Sequence, residues 1–231
     1  MIHLHLPFFD ANECKEIISY IEEKQIFLQK KYDSNLVRTN EVDAVTNAAQ
    51  RSSIFENLST RLHEKYNFFN DNPKYIPRLK KILLKNYPQL KYPLFVQCWG
   101  NFYQKGQGIS WHTHSIFGDS VQNSGLTSNI FIGGDEDIGI TYAFHDEDIP
   151  KYNYINVKNK TGYIQFVSNK TYHMVSPNKS DQKRYTLGMT ITEYDFRYSN
   201  LFFHLLAENK DMERLLVIQK PDTSKTSFNY A

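Results

Sequence analysis

The sequence predicts an α+β protein: an antiparallel double-stranded β-helix (jelly roll) with a helical annex packed on it from the N-terminal side. Three observations point there. Aromatic residues make up 15% of the chain, with 16 Tyr and 16 Phe, which suits a β-rich interior better than a helical bundle. Up to about residue 92 apolar residues recur at helical spacing, whereas beyond it they fall in short strand-like runs. Gly, Asn and Asp separate those later runs, as turns separate antiparallel strands.

Length and charge narrow the class. A chain of 231 residues can bury one substantial core, and no repeat or Gly/Ser-rich linker divides it. The expectation is one domain over 1–231, with an annex over about 1–92, a jelly-roll core over about 93–196 and a C-terminal extension over 197–231. A formal net charge of +2 leaves no electrostatic footprint for nucleic acid or an anionic membrane, so neither is expected as a partner. Two distant cysteines, Cys14 and Cys98, form no Cys-x-x-Cys and no disulfide framework. No signal peptide and no bilayer-spanning run is visible. The expected setting is the cytoplasm.

Residues 2–7 alternate Ile2, Leu4 and Leu6 with His3 and His5, a short strand with its histidines on the surface side. Asp10 followed by Glu13 reads as a capping box. It opens a helix with Cys14, Ile17, Ile18 and Ile21 on one face, running to about Lys24. Residues 27–46 are polar, with a weak strand signal at 36–38. A second helix is predicted over 52–68, striped by Phe55, Leu58, Leu62 and Tyr66, with His63 at its margin. Pro77 opens a third, carrying Leu79, Ile82 and Leu83, with Arg78, Lys80 and Lys81 on its wet face. Strands follow over 94–99, 109–115, 126–132, 138–144, 155–157, 162–167, 171–175 and 184–192. Residues 201–206, with His204, suggest a short helix, and 220–231 a loose tail.

The chemistry gathers at Trp111-His112-Thr113-His114. On a strand, residues i and i+2 face one way, so both imidazoles would enter one space. That is costly unless a metal or a partner satisfies them. The competing reading is one hydrogen-bonded core histidine and one solvated histidine. His173 lies on a late strand, and Arg184 opens the next strand eleven residues on, with Thr186 on its own inward face. Strands remote in sequence face each other across a jelly roll, so early and late histidines can meet at one metal. A guanidinium fork beside a hydroxyl suits a buried carboxylate. The competing reading of Arg184 is a surface ion pair with Asp181.

Further motifs stand in order along the chain. They are Trp99-x-Asn101-x-Tyr103-x-x-Gly106, then Trp111-His112-x-His114, then Tyr163-Ile164-Gln165-Phe166 leading into His173-x-Val175-x-Pro177, and last Arg184-x-Thr186. From about Trp99 to Ile191 this set resembles the Fe(II)/2-oxoglutarate-dependent oxygenases. The likeness is greatest to their prolyl-hydroxylase-like branch and its small phage and bacterial relatives. Leu6-Pro7-Phe8-Phe9-Asp10, with its capped helix, resembles that family's opening.

The resemblance implies Fe(II) held by His112 and His173, with Arg184 binding the distal carboxylate of 2-oxoglutarate beside Thr186 and Tyr103. It places Asn129 in the cosubstrate pocket, or Ser128 if the alternation slips by one. The implied reaction consumes O₂ and 2-oxoglutarate, releases succinate and CO₂, and hydroxylates a peptidyl or amino-acid-like substrate by default. Position 114 departs from the pattern, because many members carry Asp or Glu there, although small phage-type relatives also read His-x-His. The third ligand is therefore His114, the loop residue Asp119, or absent as in halogenase-type sites. His114 is preferred, since it would share the strand face of His112. His145, in an acidic turn, is expected to stand aside. The rivals are a cupin-like three-histidine metal protein (a thiol dioxygenase or a metal-binding module), which has no need of Arg184-x-Thr186, and a non-enzymatic interaction domain with a relic site.

Overall fold

Alternating sequence builds two antiparallel sheets in the computed structural model, which describes residues 4–31, 66–114, 125–145, 152–193 and 216–219. The strands are β1 (Leu4–Pro7), β2 (Leu94–Tyr103), β3 (Ile109–His112), β4 (Gly125–Gly133), β5 (Ile140–His145), β6 (Tyr152–Val157), β7 (Tyr163–Ser168), β8 (Tyr172–Val175), β9 (Arg184–Thr192) and β10 (Leu216–Ile218). A six-stranded sheet has the order β1-β7-β4-β9-β2-β10, and a four-stranded sheet the order β3-β8-β5-β6. The helices are α1 (Ala11–Lys31), α2 (Phe68–Asp71) and α3 (Ile76–Asn86), with a 3₁₀ turn at Pro73–Tyr75. The jelly-roll expectation holds. No described helix is long and apolar enough to cross a membrane.

One face of the larger sheet is apolar and carries the helices. Val96 and Cys98 of β2, Leu187 and Met189 of β9 and Ile164 and Phe166 of β7 are buried with Cys14, Ile17, Leu79 and Leu83. Each such side chain contributes roughly 1.5–3 kcal/mol by leaving water. The start of α1 is fixed by the predicted capping box. Asp10 Oδ1 accepts from the backbone N of Glu13 at 2.8 Å, and Glu13 Oε2 accepts from the backbone N of Asp10 at 2.9 Å. Arg78 is not on a wet face. It is half-buried, pairs with Glu13 at 2.8 Å and lies against the rings of Phe8, Phe9 and Tyr75, tying α3 to the first turn of α1.

Several boundaries differ from expectation. Helix α1 continues to Lys31, because residues 25–31 contain no glycine or proline to stop it, and Ile21 is the last buried residue among its described side chains. The helix predicted over 52–68 does not reach Phe68: Asn67 is extended, at φ −131° and ψ 123°, and caps α2 by accepting from Phe69 N at 3.1 Å. The rest of that helix, with His63, lies outside the described residues, as do 36–38, 201–206 with His204, and 220–231. His5 is not a surface residue. It is half-buried and edge-on to Tyr163 at 5.0 Å, with Nε2 buried and unpartnered. Strand β10, pairing with β2, was not foreseen, since three residues are too short to show a period.

Gly162 anchors the annex to the sheet. Its carbonyl accepts from the backbone N of Phe8 at 2.8 Å and of Phe9 at 2.9 Å, and its own N donates to Phe131 O at 2.8 Å. At φ +79° it occupies backbone space that side chains rarely adopt, and a Cβ there would overlap the carbonyl oxygen of Phe9. Gly162→Ala should cost about 2 kcal/mol and lower the thermal midpoint by roughly 4–8 °C. Gly106→Ala is the control: φ is +84° but nothing lies within 4 Å of the added Cβ. A calorimetric scan should show the smaller loss for Gly106→Ala.

Candidate metal centre

The other face of the larger sheet is polar. Directly opposed residues of paired strands share a face, and β9 orders this one. Arg184 stands opposite Tyr103, Thr186 between Asn101 and Phe131, Gly188 between Trp99 and Asn129, and Thr190 between Gln97 and Thr127. Tyr103 and Val167 of this face pack with Ile140, Tyr142 and Val175 of the four-stranded sheet. The polar face therefore looks into the space between the two sheets. Ser128 lies on the opposite, helix-covered face with its ladder partners Phe166 and Met189, so Asn129 is the inward residue of that pair.

Three histidines meet in this space. His112 and His173 are cross-strand partners on β3 and β8, with ring centroids 4.2 Å apart. His114 lies 5.4 Å from His112 and 5.2 Å from His173 by the same measure. One nitrogen of each ring lies within 4.8 Å of the others, a set that can hold one metal ion. The delivery of His114 differs from expectation. Strand β3 ends at His112, with an irregular register from Ile109, so His114 does not share a strand face with it. Instead its backbone N donates to Asn169 O at 3.0 Å, and its Nδ1 lies 2.8 Å from Thr190 Oγ1.

His173 is arranged as a neutral donor. Its Nδ1 lies 3.0 Å from Thr171 O. A carbonyl can only accept, so that nitrogen carries the proton and Nε2 keeps its lone pair. Burial and the neighbouring His112 push its pKa down to about 3. Tyr142 flanks it at 5.8 Å and donates its hydroxyl across the lumen to Gln165 Oε1 at 2.9 Å.

Arg184 is the second feature of the space. It is 1% exposed, and its guanidinium lies 4.4 Å from the centre of the Tyr103 ring. Nη1 donates to Ser176 O at 3.2 Å, while Nε and Nη2 have no partner among the described residues. Burial lowers its pKa, against the opposing influence of Tyr103 and Asp135. The surface ion pair with Asp181 does not form, because Asp181 pairs with Lys105 at 2.9 Å. Among the described residues no carboxylate comes within ion-pair distance of Arg184. Its contact with Ser176 sets it three residues beyond His173, roughly 10 Å along the chain at strand rise.

Other polar groups surround this space. Asn101 Oδ1, Thr127 Oγ1, Asn129 Nδ2 and Gln165 Nε2 are buried without partners among the described residues, while Asn101 Nδ2 donates to Thr186 Oγ1 at 3.4 Å. Sequence reasoning assigned no role to Trp99, Asn101, Thr127, Tyr142, Gln165 or Thr190. A signal existed for two of them: Asn101 and Gln165 are polar residues whose sequence neighbours, Phe102 and Phe166, belong to the apolar core. Asp119 lies outside the described residues, and so does the side chain of His145.

No family model matches the sequence, and no curated protein is significantly similar to it. Solved structures are similar in fold. The non-heme alpha-ketoglutarate-dependent carbocyclase SnoK from nogalamycin biosynthesis superposes with a TM-score of 0.61 at 15% identity, over 94% of this chain and 92% of that one. This chain has the non-haem 2-oxoglutarate oxygenase fold. The epimerase SnoN of the same biosynthesis gives 0.54 at 16% identity, over 96% and 93%. The viral collagen prolyl hydroxylase vCPH from Paramecium bursaria Chlorella virus-1 gives 0.51 at 13%, over 84% and 97%.

The lowered pKa of His173 has a consequence for stability. Below pH 6.5 the unfolded chain takes up a proton that the folded site refuses until about pH 3. Stability of the metal-free protein is therefore full above pH 6.5 and falls as the pH drops from 6.5 towards 3. Urea denaturation at pH 7 and pH 5 should show this loss, and His173→Gln should make it smaller.

Proposed function

We propose that this chain is an Fe(II)- and 2-oxoglutarate-dependent dioxygenase. One observation carries the reading: a fully buried, half-unpartnered Arg184 guanidinium shares an interior space with three converging histidines. A buried cation without a counterion is strongly unfavourable. An anion with a carboxylate at one end and metal-chelating oxygens at the other satisfies both features together.

In this proposal His112, His114 and His173 hold the iron, and Arg184 binds the distal carboxylate of 2-oxoglutarate. Thr186 and Tyr103 line the same end, and Asn129 lines the cosubstrate pocket. Bound iron supplies the activation of O₂ that couples 2-oxoglutarate decarboxylation to oxidation of the substrate. The protein's own residues bind, orient and exclude water. His173 presents a neutral nitrogen from a buried position, while His112 and His114 are half-buried. The cupin-like rival gives Arg184 no task, and its orphaned nitrogens speak against it.

For the primary substrate the proposal is hydroxylation of a peptidyl or amino-acid-like molecule. Its support is the resemblance to the prolyl-hydroxylase-like branch. The unpartnered Asn101 Oδ1 and Gln165 Nε2 also offer an acceptor and a donor of the kind a peptide group needs. A reducing cytoplasmic setting is part of the reading, and Cys14 and Cys98 are both free and buried.

Two measurements test the class. Anaerobic addition of Fe(II) and then 2-oxoglutarate should produce a weak visible absorption band, which His112→Ala and His173→Ala should each abolish. Arg184→Ala should cost about 2–5 kcal/mol of 2-oxoglutarate binding, roughly thirty-fold or more, while iron binding is kept. Arg184→Lys should recover part of it, since a point charge cannot reproduce a fork. Unchanged 2-oxoglutarate affinity in Arg184→Ala would return the cupin-like reading. Succinate release with panels of peptides and free amino acids tests the substrate proposal separately.

A further inference from the structure

We propose that Thr190 and Trp99 are positioning residues for His114, and that through them His114 becomes the third ligand of a three-histidine site for a divalent first-row metal. The proposal rests on the metal-centre reading above and goes beyond it by assigning what holds the third ligand.

His114 lies past the end of β3, so no ladder bond of that strand orients its ring. Three other contacts do. Its backbone N donates to Asn169 O at 3.0 Å, which fixes the main chain at that point. Its Nδ1 lies 2.8 Å from Thr190 Oγ1 on β9. Its ring stacks on the indole of Trp99, with centroids 5.9 Å apart and planes 18° from parallel.

Trp99 is itself seated by an absence. It stands opposite Gly188, and a Cβ on that glycine would come within 2.9 Å of indole Cε2 and 3.1 Å of Nε1. The missing side chain lets the indole lie down on β9 and present its face to His114. Thr190, 6% exposed, sits one inward position further along the same strand. Gly188 and Thr190 together thus make a floor and a peg for one imidazole.

The hydrogen bond is compatible with the tautomer a metal needs. A hydroxyl can accept as well as donate, so with the proton on Nδ1 Thr190 holds it and the Nε2 lone pair is left to a metal. At His173 the partner is the carbonyl of Thr171, which can only accept and so fixes that tautomer outright. An aspartate at 114 would present no ring to Trp99, so the pocket is shaped for the histidine found there. Three imidazole donors, with no carboxylate beside them among the described residues, suit the imidazole-binding metals of the first row, and Co(II) is a visible probe for them.

The test titrates metal-stripped full-length protein with Co(II), reading visible d–d absorption and competition with a chromophoric chelator. Thr190→Val should weaken Co(II) binding by about 10- to 100-fold, the usual effect of removing a partner behind a metal ligand. Thr190→Ser should restore most of it. Gly188→Ala should lift the indole and weaken binding in the same direction. In a His114→Ala background neither Thr190→Val nor Gly188→Ala should have any further effect, because the group they position is gone. Wild-type affinity in Thr190→Val, or an equal loss when His114 is absent, would overturn the proposal while leaving the metal centre intact. A wild-type protein that takes up no Co(II), indistinguishable from His112→Ala, would overturn the metal centre as well.

Discussion

Strand β9 is buried along all nine of its residues, and its period-two alternation divides them between two unlike interiors. Tyr185, Leu187, Met189 and Ile191 face the helices in the apolar core. Arg184, Thr186, Gly188 and Thr190 face the polar space between the sheets. A slip of one residue would put a guanidinium into the apolar core and turn Leu187, Met189 and Ile191 toward the histidines. The register is therefore held from both sides, by β2 over Phe95–Thr192 to Tyr103–Arg184 and by β4 over Gly125–Thr192 to Gly133–Tyr185. The helices matter to the site through this strand: by covering one face they fix which residues the other face offers.

The polar interior has an unusual electrical balance. His173 is held neutral by burial, and no described carboxylate lies within ion-pair distance of Arg184, although Asp135 acts on it from further away. The space thus holds a buried guanidinium together with a neutral His173. The ring of Tyr103 and the carbonyl of Ser176 soften that cost without removing it, since neither carries a full negative charge. Unpartnered amides and hydroxyls on neighbouring strands add to the imbalance. A protein interior tolerates such a concentration of unmet polar groups where a ligand completes it.

The fold alone does not choose a reaction. Among the similar structures one is a carbocyclase, one an epimerase and one a collagen prolyl hydroxylase, all at 16% identity or less. What they share with this chain is the fold, and chemistry is grafted onto a fold by individual residues. Here those residues include a histidine at 114, with the threonine and the tryptophan that support its ring.

By itself the sequence determined the local structure of this protein. The Asp10–Glu13 box, the Pro77 start of α3 and the alternation of β2, β4, β7 and β9 all follow from interactions within a few residues. Arg184 and Thr186 were visible as well, because period two assigns a face without knowledge of partners, and His112 and His173 stood out through the order of the motifs that contain them. Tertiary structure decided what those faces meet. It placed Asn129 inward rather than Ser128, buried Arg184 where a surface pair with Asp181 was open to it, and half-buried His5 and Arg78. It also brought His114 to the other histidines after its strand had ended, through Asn169, Trp99 and Thr190. These partners lie 55, 15 and 76 residues away in the chain, and no periodicity reaches across such separations. Only the packing of one sheet over the other brings them to one ring.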